Sequence, residues 1–129
     1  MTTDKHNILL VEKNAMVGSV IASTAYQLNL ATVRKVASTS AARQYLMNDR
    51  ISALIATIDD EVADLAFLQA LRDASFRAPS DIPIAVITPT CDGEFAEKLK
   101  ALRVSRILLK PFKVRDVIST IELVTAPGG

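Results

Sequence analysis

Five short apolar runs alternate with five stretches of helical period along the chain. Ile8-Leu9-Leu10-Val11 shows no polar alternation, which is the pattern of a strand covered on both faces in a parallel sheet. Runs of the same character lie around 32–36, 53–58, 82–87 and 106–109. The clearest are Ala-Leu-Ile-Ala-Thr-Ile from Ala53 and Ile-Pro-Ile-Ala-Val-Ile from Ile82. The run at 32–36 carries Arg34 and Lys35 and belongs nearer a sheet edge.

Between these runs the period changes to that of a helix. Val17, Val20, Ile21, Thr24 and Leu28 follow i, i+3, i+4, i+7, i+11 and predict a first helix with these residues inward. Residues 38–49 place Ala42, Tyr45 and Leu46 on one side, with Ser38 or Thr39 as the N-cap. Leu65, Leu68 and Leu71 mark a third helix. Phe95, Leu99 and Leu102 mark a fourth, with Asp92 near its start, and Val114, Val117, Ile118 and Ile121 mark a fifth. Strict alternation of strand and helix predicts an α/β, doubly wound (βα)5 fold with a five-stranded parallel sheet. Its expected strand order is 2-1-3-4-5, with ligands at the carboxyl ends of the central strands. One domain is expected over residues 1–125, and residues 126–129 read as a frayed tail.

Composition narrows the chemistry. The 129 residues hold 15 Lys+Arg against 14 Asp+Glu, a net charge of +1 that gives no global pull toward nucleic acid or an anionic membrane. Half of the residues are hydrophobic, ample for a core. Cys91 is the one cysteine and His6 the one histidine, which excludes an internal disulfide and multi-cysteine or His-rich metal sites and disfavours a Ser-His-Asp triad. Glycine occurs only at 18, 93, 128 and 129, so neither a GxGxxG fingerprint nor a P-loop is present. The start is polar and the run at 8–11 is too short for a signal-peptide core or a membrane span. With the free thiol, that fits a cytoplasmic protein.

The strand ends carry a resemblance. Asn7-Ile-Leu-Leu-Val-Glu-Lys-Asn14, Ile84-Ala-Val-Ile-Thr-Pro-Thr90 and Ile107-Leu-Leu-Lys-Pro-Phe112 look like the first, fourth and fifth strand ends of response-regulator receiver domains of the chemotaxis-regulator type. Leu65-Ala-Phe-Leu-Gln-Ala-Leu-Arg72 is similar to the start of the family's third helix. The resemblance covers about residues 6–124 and implies a flavodoxin-like fold. It also implies phosphoryl transfer from a histidine kinase to an Asp at the end of strand three, with Mg²⁺ held by an acidic pair after strand one. By position the phosphoacceptor falls at Thr57, within about one residue of register. The acidic pair falls at Glu12 and Lys13, the phosphoryl-binding pair at Thr88 and Lys110, and the switch aromatic at Ile107. The Lys110–Pro111 bond should be cis, aiming Lys110 toward Glu12 or Asp59, with Lys13 in the space of the metal.

A hydroxyl at Thr57 lacks carboxylate nucleophilicity, and an ammonium at Lys13 repels Mg²⁺. Nucleophile, metal pair and switch aromatic all depart from the family pattern, as in a degenerate receiver, or pseudo-receiver. The expected function is a stand-alone receiver-like module of a two-component phosphorelay. It would be phosphorylation-independent, without enzymatic activity, cofactor or metal, and would act by protein–protein interaction. The alternative is an active phosphoacceptor that uses a displaced Asp59 or Asp60 with Mg²⁺; an unrelated small α/β enzyme is a third reading. Partners would be a kinase, regulator or output protein, bound through the helix four–strand five–helix five face at Arg103, Arg106 and Lys113, where a homodimer could also form. Neither membrane nor nucleic acid is expected. Each residue also has a plainer reading: Thr88 ends a strand, Lys110 is solvated, 59–61 caps helix three, Cys91 is a loop residue, and the cations are a solvated face.

Overall fold

A computed structural model describes residues 6–126. The tail expected at 126–129 lies outside them except for Ala126. The elements run β1 (Asn7–Val11), α1 (Ala15–Gln27), β2 (Thr32–Val36), α2 (Thr39–Asn48), β3 (Ala53–Thr57), α3 (Glu61–Arg72), β4 (Ile84–Thr88), α4 (Gly93–Ala101), β5 (Arg106–Leu109) and α5 (Val114–Val124). The five strands form one parallel sheet in the order β2-β1-β3-β4-β5. This is the flavodoxin-like doubly wound architecture. β2 is an edge strand, in keeping with Arg34 and Lys35.

Side chains alternate across the sheet into two cores. Leu9, Val11, Leu54, Ala56, Ile84 and Val86 meet α2, α3 and α4 on one face. Ile8, Leu10, Ala53, Ile55, Ala85 and Ile87 meet α1 and α5 on the other. All five positions of β3 and of β4 are buried, which is why these runs lack polar alternation. No helix among the described residues is long and apolar enough to cross a membrane.

Three local expectations need correction. The inward face of α1 is Gly18, Ile21 and Ala25, while Val20 and Leu28 are exposed. Small residues let the helix lie close to the sheet: a Cβ on Gly18 would sit 3.4 Å from the Lys35 Cδ. An apolar count weighted toward large side chains rotates the helix. β4 begins at Ile84 because Pro83 has no N–H for the ladder, and Ile82 is a buried residue of the preceding loop. In α5 the buried residues are Val117, Thr120, Ile121 and Val124, and Val114 is exposed.

Side-chain caps set the helix starts. Asn14, Ser38, Asp60 and Asp92 accept from the backbone N–H three residues on, at 3.0, 3.2, 3.1 and 2.8 Å. Behind the sheet, the Arg72 guanidinium donates to four carbonyls: Leu102 (2.8 Å), Ser80 (2.8 Å), Ile82 (2.7 Å) and Arg103 (3.2 Å). Leu102 caps the carboxyl end of α4, where a cation also favours the helix dipole.

Candidate functional site

The parallel sheet brings the ends of β1, β3, β4 and β5 to one edge. Glu12 follows β1, Thr57 closes β3, Thr88 closes β4 and Lys110 follows β5. Main-chain bonds extend the ladder past the strands and fix two of these residues: Glu12 N–H donates to Val36 at 2.9 Å and Lys110 N–H to Thr88 at 3.0 Å. The Lys110–Pro111 peptide bond is cis.

Glu12 is the centre of the site. Its side chain is 2 % exposed, and both oxygens are engaged. Oε1 accepts from the Thr57 hydroxyl at 2.8 Å and lies 3.1 Å from the Lys110 ammonium. Oε2 accepts from the Asn14 N–H at 3.1 Å. Burial pushes the Glu12 carboxyl up, but the Thr57 hydroxyl, the Asn14 N–H and the Lys110 ammonium outweigh it and hold the group below its ordinary value. The charged form is therefore the resident one, compensated from within the chain.

Thr57 itself is buried, with its hydroxyl committed to Glu12. The structure joins three of the residues read from the sequence, Glu12, Thr57 and Lys110, into one hydrogen-bonded unit. Thr88 is buried one strand away and donates to the Thr90 carbonyl at 3.0 Å, so its hydroxyl is outside that unit. Ile107, expected from the sequence at the switch position, is half-buried against the α2–α3–α4 core.

Lys13 does not enter the cleft. It is largely exposed and reaches Asp59 at 3.9 Å, also exposed. Of the two alternatives for Lys110, Glu12 is the partner and Asp59 is not. Asp60 spends one oxygen on capping α3, and the Asp59 and Asp60 N–H groups both donate to Asp64, at 2.8 and 3.0 Å. The cluster at 59–61 is thus tied into the start of α3, close to the plain capping reading. Glu61 pairs with Lys98 of α4 at 3.2 Å, which holds the Lys98 ammonium above its usual value. Cys91 is a half-buried loop residue whose Sγ lies 3.7 Å from the Asp92 carbonyl.

On the α4–β5–α5 face, Arg103 and Lys113 are exposed. Arg106 is partly covered and donates to Ser119 at 2.9 Å. The sequence reading missed Asn14, which both caps α1 and feeds its own N–H to Glu12. The available signal was a carboxylate placed two residues before a helix-capping Asn.

The donor set does not fit Mg²⁺. A hard cation wants several oxygens free to coordinate. Here the buried carboxylate is saturated and the next position is an ammonium. Among the described residues no group of three or more His, Cys, Asp or Glu could hold a metal ion. A groove of about 1450 Å³ lies at the opposite edge, beside His6, Arg34, Arg50 and Arg77.

No protein-family model and no curated protein sequence matches the chain. Solved structures do. Chemotaxis protein CheY4 of Vibrio cholerae superposes with a TM-score of 0.80 at 21% identity, covering 94% of this chain and 99% of that one. A response regulator from Thermotoga maritima gives 0.83 at 12% identity, with 94% and 98% covered. The receiver domain of sensor histidine kinase PA1611 from Pseudomonas aeruginosa gives 0.74 at 21% identity, with 94% and 98% covered; its structure has a magnesium ion coordinated in the active site cleft. At these identities the likeness establishes architecture: the chain has the fold of the CheY-like response-regulator receiver domains.

Proposed function

We propose that the chain is a receiver-like signalling module of a two-component or phosphorelay system that works without phosphorylation, by contact with a protein partner. The observation that carries this reading is the Thr57–Glu12–Lys110 unit. In the phosphotransfer chemistry implied by the receiver resemblance, an aspartyl carboxylate attacks phosphorus, a divalent cation spreads the developing charge, and a lysine ammonium holds a phosphoryl oxygen. Here the first position offers a hydroxyl already donated to Glu12. The second pairs a saturated carboxylate with Lys13, and the ammonium of the third is engaged by Glu12 at 3.1 Å.

A surface readout supplies the activity in this reading. Arg103 just after α4, Arg106 at the start of β5 and Lys113 at the N-cap of α5 share a face that suits an acidic patch on a kinase, regulator or output protein. The displaced-acceptor alternative gains little from the geometry, since Asp60 caps α3 and Asp59 faces Lys13.

Intact-mass measurement after incubation with acetyl phosphate and Mg²⁺ tests the proposal. The expected result is an unchanged mass. A labile gain of one phosphoryl group that disappears on Asp59→Asn or Asp60→Asn would overturn it in favour of the displaced acceptor.

A further inference from the structure

We propose that the groove at the amino edge of the sheet binds a nucleotide. The groove, about 1450 Å³, shares no lining residue with the Glu12–Thr57–Lys110 unit or with Arg103, Arg106 and Lys113. Three arginines reach it from separate parts of the chain that the parallel sheet gathers: Arg34 from β2, Arg50 from the connection before β3, and Arg77 from the loop before β4.

These three differ from the arginines that serve the fold. Arg72 is spent on four carbonyls, and Arg106 donates to Ser119 at 2.9 Å. Arg43 lies over the Phe67 and Phe76 rings, 5.6 and 5.5 Å from their centroids. Arg34, Arg50 and Arg77 are exposed, and among the described residues none of them has an ion-pair partner. Their main chains, by contrast, are pinned. Arg34 lies in the β1–β2 ladder opposite Leu9. The Arg50 carbonyl accepts from the Asn7 side-chain amide at 2.6 Å. Ala78, next to Arg77, donates its N–H to the Leu46 carbonyl at 2.9 Å. Unspent guanidinium groups on fixed bases form a preorganised anion site, in which little backbone order remains to be lost on binding.

Charge and shape select the ligand. The planar fork of an arginine meets a phosphate with two donors at once, where a lysine offers a point charge. Two acids also line the groove, Asp49 and Asp81. Burial and the neighbouring Arg103 push the Arg72 guanidinium down, and Asp81 opposes them, so the Asp81 charge is already engaged with Arg72. Asp49 alone then faces three guanidinium groups, and the surplus is positive. Pro79 and Pro83 give the groove an apolar side, on which a planar base can lie. Asp49 is an acceptor for ribose hydroxyls. A nucleotide brings the anion, the flat apolar body and the hydroxyl donors together, whereas a run of acidic side chains brings only the first.

Isothermal titration calorimetry on the full chain with ATP and with GTP, free of metal and at low ionic strength, tests this. The expected result is saturable binding of one or both, weakened by added salt. Arg50→Gln and Arg77→Gln, both at exposed positions and checked for an unchanged circular dichroism spectrum, should each raise the dissociation constant about tenfold, ~1.4 kcal/mol. Lys100→Gln, at an exposed cation on α4 outside the groove, should leave it unchanged. Pyrophosphate, which has the anion without the base, should bind about tenfold more weakly than the nucleotide. A chain that takes up neither nucleotide at millimolar concentration overturns the proposal, as does binding that survives both arginine variants. Pyrophosphate or an oligoglutamate peptide binding as tightly as the nucleotide also overturns it, in favour of a site for anions of any kind.

Discussion

The carboxyl edge of the sheet and the α4–β5–α5 face both display basic side chains, but they use them in opposite ways. At the edge, Lys110 is spent on Glu12 and Lys13 on Asp59. On the other face, Arg103 and Lys113 are exposed and have no ion-pair partner among the described residues. A charge matched inside the chain stabilises a conformation, whereas an unmatched one at the surface is available to a second molecule. The difference separates what the carboxyl edge contributes, internal charge compensation, from what the α4–β5–α5 face leaves available at the surface.

The comparison breaks most easily at Glu12. Glu12→Ala strands the Thr57 hydroxyl, the Asn14 N–H and the Lys110 ammonium together, and should cost about 1–3 kcal/mol in urea unfolding. Lys110→Ala should cost less, because its side chain is 29 % exposed and solvent screens the pair. A loss below about 0.5 kcal/mol for Glu12→Ala, the range of ordinary surface changes, would mean the edge is as expendable as the surface.

A second prediction sets the two regions against each other directly. Arg106→Glu or Arg103→Glu should weaken capture of a protein partner about tenfold, ~1.4 kcal/mol. Lys110→Ala should leave it nearly intact. Binding lost on Lys110→Ala and kept on both arginine variants would reverse the roles assigned to edge and face.

Acid titration gives the smallest and sharpest effect. The folded state holds the Glu12 carboxyl below its unfolded value, which is about 4.3. Its contribution is therefore complete above that value and is lost as pH falls through the folded one. Unfolding midpoints of the wild type and Glu12→Gln should be furthest apart near neutrality and converge below about pH 4. A constant separation across that range would show that Glu12 titrates as it does in the unfolded chain.

Legibility followed the physics of each region. The strand runs were readable because a parallel sheet covered on both faces leaves no polar alternation to confuse them, and β3 and β4 are buried throughout. Strand order followed from the alternation of elements. The face of α1 was misjudged because close packing on a sheet selects Gly18 and Ala25 for smallness, which hydropathy does not score. At the site, Glu12, Thr57 and Lys110 could be placed from the register of strand ends, but the choice of Glu12 over Asp59 as the Lys110 partner depended on side-chain directions. Asn14 was invisible as a participant because it acts through its backbone N–H, which every residue but proline shares.

The Arg72 clamp has a consequence for which substitutions the chain can absorb. Its guanidinium ends on four main-chain carbonyls, those of Ser80, Ile82, Leu102 and Arg103. Main-chain acceptors are indifferent to the side chains they carry, so the clamp places no demand on the side chains of Ser80 and Arg103, whereas Ile82 and Leu102 are held separately by burial in the core. The freedom is one-sided. A lysine at 72 has no planar fork of donors with which to span the two loops. A single codon thus joins two loops through their main chains, at positions where two of the four side chains are left free to vary.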